Sequence, residues 1–206
     1  MEEKKYELLK EDSISVYSST LYRIRALKDF GYIKAGDLGG YIEKEDNLSQ
    51  YDTCWVYYNA EVYGNAEVYG NAKVCGDARV CGDARVFGNA RVHDNAKVYN
   101  NAIIYSNARV HDNAEVYGNA RIYGNAYIMS TNDYIVIGPI GSRSDYTTFY
   151  LDKDRNIYVK CGCFSGTIEE FENAVKETHK DNKLYREQYL HAISYASYIF
   201  KLNKEE

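Results

Sequence analysis

The chain has 206 residues, 45% of them hydrophobic and 27% charged, with a net charge of −5. Residues 1–58 carry 8 basic and 11 acidic side chains (−3), residues 59–130 carry 7 and 7 (zero), and residues 131–206 carry 10 and 12 (−2). No segment has the basic excess that duplex nucleic acid demands, and no apolar run reaches the length of a membrane span, so both classes are set aside.

The opening Met1–Lys5 leads into a mixed polar stretch with no signal-peptide core. The cysteines are Cys54, Cys75, Cys81, Cys161 and Cys163. An odd number without an export signal predicts reduced thiols and a cytoplasmic location. Tyr22, Ile24 and Ala26 alternate with Arg23 and Arg25, the pattern of a half-buried strand, and turn signals follow at Gly36-Asp37 and Gly39-Gly40. Residues 41–58 read as an imperfect first coil, with Ile42, Leu48 and Cys54 in phase with the Ala positions that follow, and with Lys44 and Gln50 inward. Terminal repeats of solenoids deviate in this way. Residues 1–58 are therefore expected to form an N-terminal β cap.

From Asn59 to Ser130 the sequence divides into twelve hexapeptides without an insertion. The first residue is Asn or Asp, the second is always Ala, the fourth is always Val or Ile, and the sixth is mostly Gly. Residues two apart on an extended strand point to the same side, so Ala and Val or Ile face inward. The Gly-Asn junction suits a corner, because both residues tolerate left-handed backbone angles. Three strands and three corners close a triangle of three hexapeptides, and stacked triangles make a parallel solenoid.

After Ser130 the pattern changes. Tyr134–Ile137, Thr147–Leu151 and Ile157–Val159 read as short strands. Thr167-Ile168-Glu169-Glu170 is a capping box that opens a helix with Phe171, Ala174 and Val175 on one face, and a second helix runs from about Lys183 to Lys201. Residues 131–206 form a small α+β domain in this reading.

The Asn-Ala-x-Val-x-Gly run resembles the hexapeptide-repeat superfamily, whose members fold as left-handed β-helices and include trimeric acyltransferases and γ-class carbonic anhydrases. The segment Leu21–Phe30, followed by Gly39-Gly40-Tyr41-Ile42-Glu43, looks like the start of an uncharacterised branch found in bacterial and phage genomes. The fold class expected is mainly β: a left-handed parallel β-helix between an N-terminal β cap and a C-terminal α+β domain.

A step of three hexapeptides reads the outward columns. Tyr69, Phe87, Tyr105 and Tyr123 stack on one face, a candidate surface for a homo-oligomer or another partner. Cys75, His93, His111 and Met129 form another column. Two His with a Cys suggest zinc, but one column gives only a line of ligands, and Arg91 and Arg109 beside it oppose a cation, so no metal and no cofactor are expected. An acyltransferase would need a base in a cleft, and no loop interrupts the repeats to make one.

The densest polar cluster lies in the C-terminal region. Ser142, Arg143, Ser144, Asp145 and Thr147 follow a Gly, and Cys161, Cys163 and Thr167 precede the helix; together they suit an anion. The expectation is a non-enzymatic binding protein whose rigid solenoid displays a recognition domain for a small anionic, nucleotide-like ligand or a host protein. The phage-like resemblance implies a counter-defence role. The alternative is an acyltransferase that uses acyl-CoA.

Overall fold

The computed structural model describes residues 3–203. The first three strands are β1 (Tyr6–Val16), β2 (Ser19–Ala26) and β3 (Leu38–Ile42). Strands β4–β16 then recur once per hexapeptide, two residues each, from Trp55–Val56 to Tyr127–Ile128. They assemble into three parallel sheets whose neighbouring strands lie three hexapeptides apart, so that Val74, Val92 and Val110 stand side by side. The result is a five-turn parallel β-solenoid.

The inward Ala and Val or Ile side chains form one apolar column along the axis, and residues such as Ala90, Val92 and Ile104 have no solvent exposure. Burying each Val or Ile contributes roughly 1.5–3 kcal/mol before chain entropy is counted. At the corners only the sixth residue takes the left-handed conformation: Gly76 has φ of +72°, and Asp94, one coil on, has φ of 59°. A Cβ at Gly76 would meet the Asp94 backbone N and O at 2.9 Å, which excludes a side chain there. The Asn beside it does different work. Its amide donates to the Asn or Asp one coil on, as from Asn71 to Asn89 and from Asn89 to Asn107 at 3.2 Å each.

The first coil departs from the expected phase. Ile42 pairs with Val62 and Leu48 bridges Val68, so both occupy Val positions rather than Ala positions. Val56 pairs with Val74 at the regular step of three hexapeptides. Gln50–Asp52 stands at the corner where later coils have one residue, which absorbs the two extra residues. Lys44 and Gln50 are accordingly corner residues, and the Gln50 side-chain carbonyl accepts from the Lys5 backbone N at 2.8 Å. Gly39 and Gly40 lie within β3 instead of a turn. A Cβ would come within 2.5 Å of the Ile24 side chain at Gly39 and 2.4 Å of the Ala60 carbonyl at Gly40. In β2 the buried residues are Leu21, Ile24 and Ala26, while Tyr22 stays half-buried beneath the Lys10 ammonium.

The two ends of the solenoid are chemically different, because most backbone N–H groups of a coil donate to the next coil, as Asn71, Lys73 and Cys75 N do to Gly88, Ala90 and Val92 O. The last coil has no successor, and side-chain oxygens take the place of carbonyls: Glu115 N donates to Thr131 Oγ1, Tyr117 N to Tyr134 Oη and Arg121 N to Thr148 Oγ1, at 3.0–3.2 Å. At the opposite end most of the free groups are carbonyls, and donors meet them. The Tyr6 hydroxyl donates to Leu48 O at 2.6 Å, the fully buried Lys5 ammonium to Cys54 O at 3.1 Å, and Arg23 to Gly39 O at 2.9 Å. Each partner removes the desolvation penalty of an orphan backbone group.

The C-terminal domain is an antiparallel sheet of β17 (Tyr134–Ile140), β18 (Asp145–Leu151), β19 (Ile157–Cys161) and β20 (Phe164–Thr167), covered by α1 (Ile168–Thr178) and α2 (Lys183–Leu202). Thr167 caps α1, accepting from Glu170 N while Glu170 accepts from Thr167 N, as the capping box predicts. Phe149, Phe171, Ile193 and Phe200 belong to its own core. No helix of the described residues is long and apolar enough to cross a membrane.

Candidate functional site

A cleft of about 350 Å³ opens in the C-terminal domain between the turn 141–144, the turn joining β19 to β20, and the two helices. Phe164, Phe171, Ala174, Val175 and Tyr189 supply its apolar wall. Gly141 has φ of +71°, and a Cβ there would lie 1.9 Å from the Tyr189 hydroxyl, so only Gly lets the turn close onto α2. Gly162, with φ of +54°, leaves room for Arg143, whose Nη1 sits 3.1 Å from where a Cβ would be.

The polar groups of the cleft are few. The Cys161 sulfur accepts from the Thr147 hydroxyl at 3.3 Å and lies 3.9 Å from the Tyr189 hydroxyl. Burial, reinforced by Cys161, pushes the Tyr189 phenol up to about 12. The His179 ring stacks against Tyr189 with centroids 5.5 Å apart. Asp145 pairs with Arg121 of the solenoid at 3.3 Å, and among the described residues Arg143 has no acidic partner.

Of the residues singled out in the sequence, the fold brings Ser142, Arg143, Asp145, Cys161 and Cys163 around this cleft. The other three lie elsewhere. Ser144 is exposed and closes the turn through its N–H to Gly141 O. Thr147 is fully buried in β18, where its hydroxyl serves Cys161. Thr167 is spent on capping α1. Cys161 and Cys163 are not on one strand, because Gly162 turns the chain between them, and both are free thiols. Phe171, His179 and Tyr189 are not among the site residues that the sequence singles out. No local signal marks them, since they reach the cleft from helices that begin beyond the polar cluster.

Residues 78–94 match the family model described as the YdcK beta solenoid repeat. The chain is a β-solenoid repeat protein. No curated protein matches it.

Two outward columns of the β-solenoid repeat protein form as the three-hexapeptide step predicts. Tyr69, Phe87 and Tyr105 stack at 4.7 and 5.1 Å and Tyr123 tilts against Tyr105 at 4.7 Å, all half-buried, and Lys160 of the C-terminal domain lies over Tyr123. His93 and His111 stack at 5.0 Å, and their Nδ1 atoms lie 2.9 and 3.2 Å from Asp94 and Asp112. The Tyr127 ring packs edge-on against His111 at 4.4 Å, and His111 is 5% exposed. Both Nδ1 atoms face carboxylates, but the buried Nε2 of His111 has no hydrogen-bond partner, and His93, Asp94 and His111 bring one ligand atom each within 4.8 Å of one another, a spacing that could hold a metal ion.

Proposed function

We propose that this chain is a non-enzymatic binding protein in which the solenoid presents the C-terminal cleft to a small ligand with an apolar body and one anionic group. Arg143 carries the reading. Its guanidinium lines an apolar cleft without an acidic partner, since Asp145 is held by Arg121. A guanidinium so placed offers two parallel hydrogen bonds to a carboxylate or phosphate. In this reading the solenoid is a rigid spacer, and its aromatic column is a self-association surface. The resemblance seen in the sequence supplies a setting: counter-defence, in which a nucleotide-like signal or a host protein is held rather than transformed.

Native mass spectrometry of protein freshly isolated from its host tests this. The unmodified chain should carry a small-molecule adduct that Arg143→Gln lacks while keeping its melting temperature. An adduct retained by Arg143→Gln, or no adduct on the unmodified chain, overturns the assignment.

A further inference from the structure

The solenoid carries a second concavity, larger than the first. A groove of about 1000 Å³ runs along one face, between a corner column of Asn side chains and a row formed by Lys73, Arg91 and Arg109, and the turn 152–158 closes one end. These three cations are in direct register on adjacent strands, Lys73 beside Arg91 and Arg91 beside Arg109. Like charges directly opposite each other on a sheet repel.

The neighbouring face shows what the same fold does when charges are only structural. There the equivalent positions are Glu61, Arg79, Lys97 and Glu115, and they pair as Arg79–Glu61 at 3.1 Å and Lys97–Glu115 at 2.8 Å. In the groove no acid pairs with Lys73, Arg91 or Arg109 among the described residues. Lys73 lies over the Tyr32 ring, which leaves the two guanidiniums uncompensated. The Asn corner adds donors on the opposite wall: Asn71, Asn89 and Asn107 each give one amide N–H to the next rung and keep a second.

The closed end is different in kind. It holds Tyr127 and Tyr158, with Lys153, Asp154 and Asn156 beside them. Asp152 is also there, but its carboxylate is occupied by Asp154 N, Asn156 N and Asn156 Nδ2 at 2.8–3.1 Å. Lys153 and Asp154 offset each other there, so no net positive charge continues past Arg109. The positive stretch is thus only two strand spacings long, roughly 10 Å. A long polyanion does not suit it. A compact molecule with several negative charges at one end and a flat, hydroxylated neutral part at the other does.

We propose that this groove binds a nucleoside polyphosphate, with the phosphates over Arg109 and Arg91 and the nucleoside at the Tyr127–Tyr158 end. The site is separate from the C-terminal cleft and does not depend on Arg143. Calorimetric titration of the full chain with adenosine triphosphate at low salt tests it, with inorganic tripolyphosphate and adenosine as separate probes. Expected are binding that weakens as salt rises, at least tenfold weaker binding in the R91Q/R109Q double variant, and unchanged binding in Arg85→Gln and Arg143→Gln. The double variant should melt no lower than the unmodified chain, because it removes a repulsion. No binding of the triphosphate, or binding that survives R91Q/R109Q, overturns the site. Equal affinity for tripolyphosphate overturns the nucleoside assignment, and loss of binding in Arg143→Gln alone moves the ligand to the C-terminal cleft and overturns the groove.

Discussion

Arg121 touches the C-terminal domain twice: its backbone N–H donates to Thr148 Oγ1 at 3.0 Å, and its guanidinium meets the Asp145 carboxylate at 3.3 Å. One residue of the last coil therefore both ends the solenoid and neutralises the acid next to Arg143. Arg121→Ala should free Asp145 to pair with Arg143 and weaken any anion in the cleft. Arg121→Ala that leaves adduct occupancy in native mass spectrometry unchanged would show that Asp145 does not compete.

The axial column predicts a sharp contrast. Val92→Asp puts an unpaired carboxylate among Val and Ala side chains without solvent access and should cost ~4 kcal/mol or more. Arg85→Gln, exposed on the outside, should change stability by less than about 0.5 kcal/mol. Thermal melts that fall equally for both would contradict the buried axis.

The terminal hydroxyls are also separable. Thr148→Val keeps the shape of the side chain but leaves Arg121 N without an acceptor, at a cost of about 1–3 kcal/mol. Adding Tyr134→Phe strips Tyr117 N as well. The double variant should then aggregate, because unpaired strand edges template further pairing. Light scattering during storage reads the outcome.

The aromatic column predicts self-association. Phe87→Lys with Tyr105→Lys should lower the mass measured by light scattering while circular dichroism keeps its β signal. An unmodified chain that is monomeric at high concentration rules this surface out.

Tyr189 gives a pH dependence with a definite sign. Its phenol is pushed from the usual value near 10 up to about 12, so the folded chain holds its proton more tightly than the unfolded chain. The stabilisation is complete below pH 10 and is lost as pH rises from 10 through about 12. In alkaline melts Tyr189→Phe should shrink this loss without abolishing it, because Tyr99 is also pushed up to about 12, and an identical loss in that variant would assign it wholly to other groups.

The hexapeptides are legible because each unit repeats the same inward pair, so one coil reports on the next. The phase of the first coil is not legible, because Ile42 and Leu48 are apolar at either position. Only pairing to Val62 and Val68 reveals the residues added at Gln50–Asp52. Strand β1 leaves no clear mark because its sequence, Tyr-Glu-Leu-Leu-Lys-Glu-Asp, has no clean alternation; a bulge falls between Leu9 and Ser13. In the site, the polar cluster is visible as sequence neighbours. The apolar wall from Phe171 and Tyr189 depends on helix packing, which local pattern does not encode. The basic groove is hidden differently: in the sequence Lys73, Arg91 and Arg109 are neighbours of the His column, and the turn 152–158 that encloses them comes from another domain.

The unlike ends of the solenoid make its middle modular. Donors from the N-terminal segment seal one end and hydroxyls from the C-terminal domain seal the other, and neither set reaches the central coils. Removing three hexapeptides from the centre would bring Arg121 back under Thr148 and simply shorten the rod by one strand spacing, about 4.8 Å. Removing one would carry the C-terminal domain, still seated on the same last strands, round to the next face of the triangle relative to the N-terminal segment. Chain length in this protein thus has a unit of three repeats, and a single repeat gained or lost redirects the cleft instead of moving it along the axis.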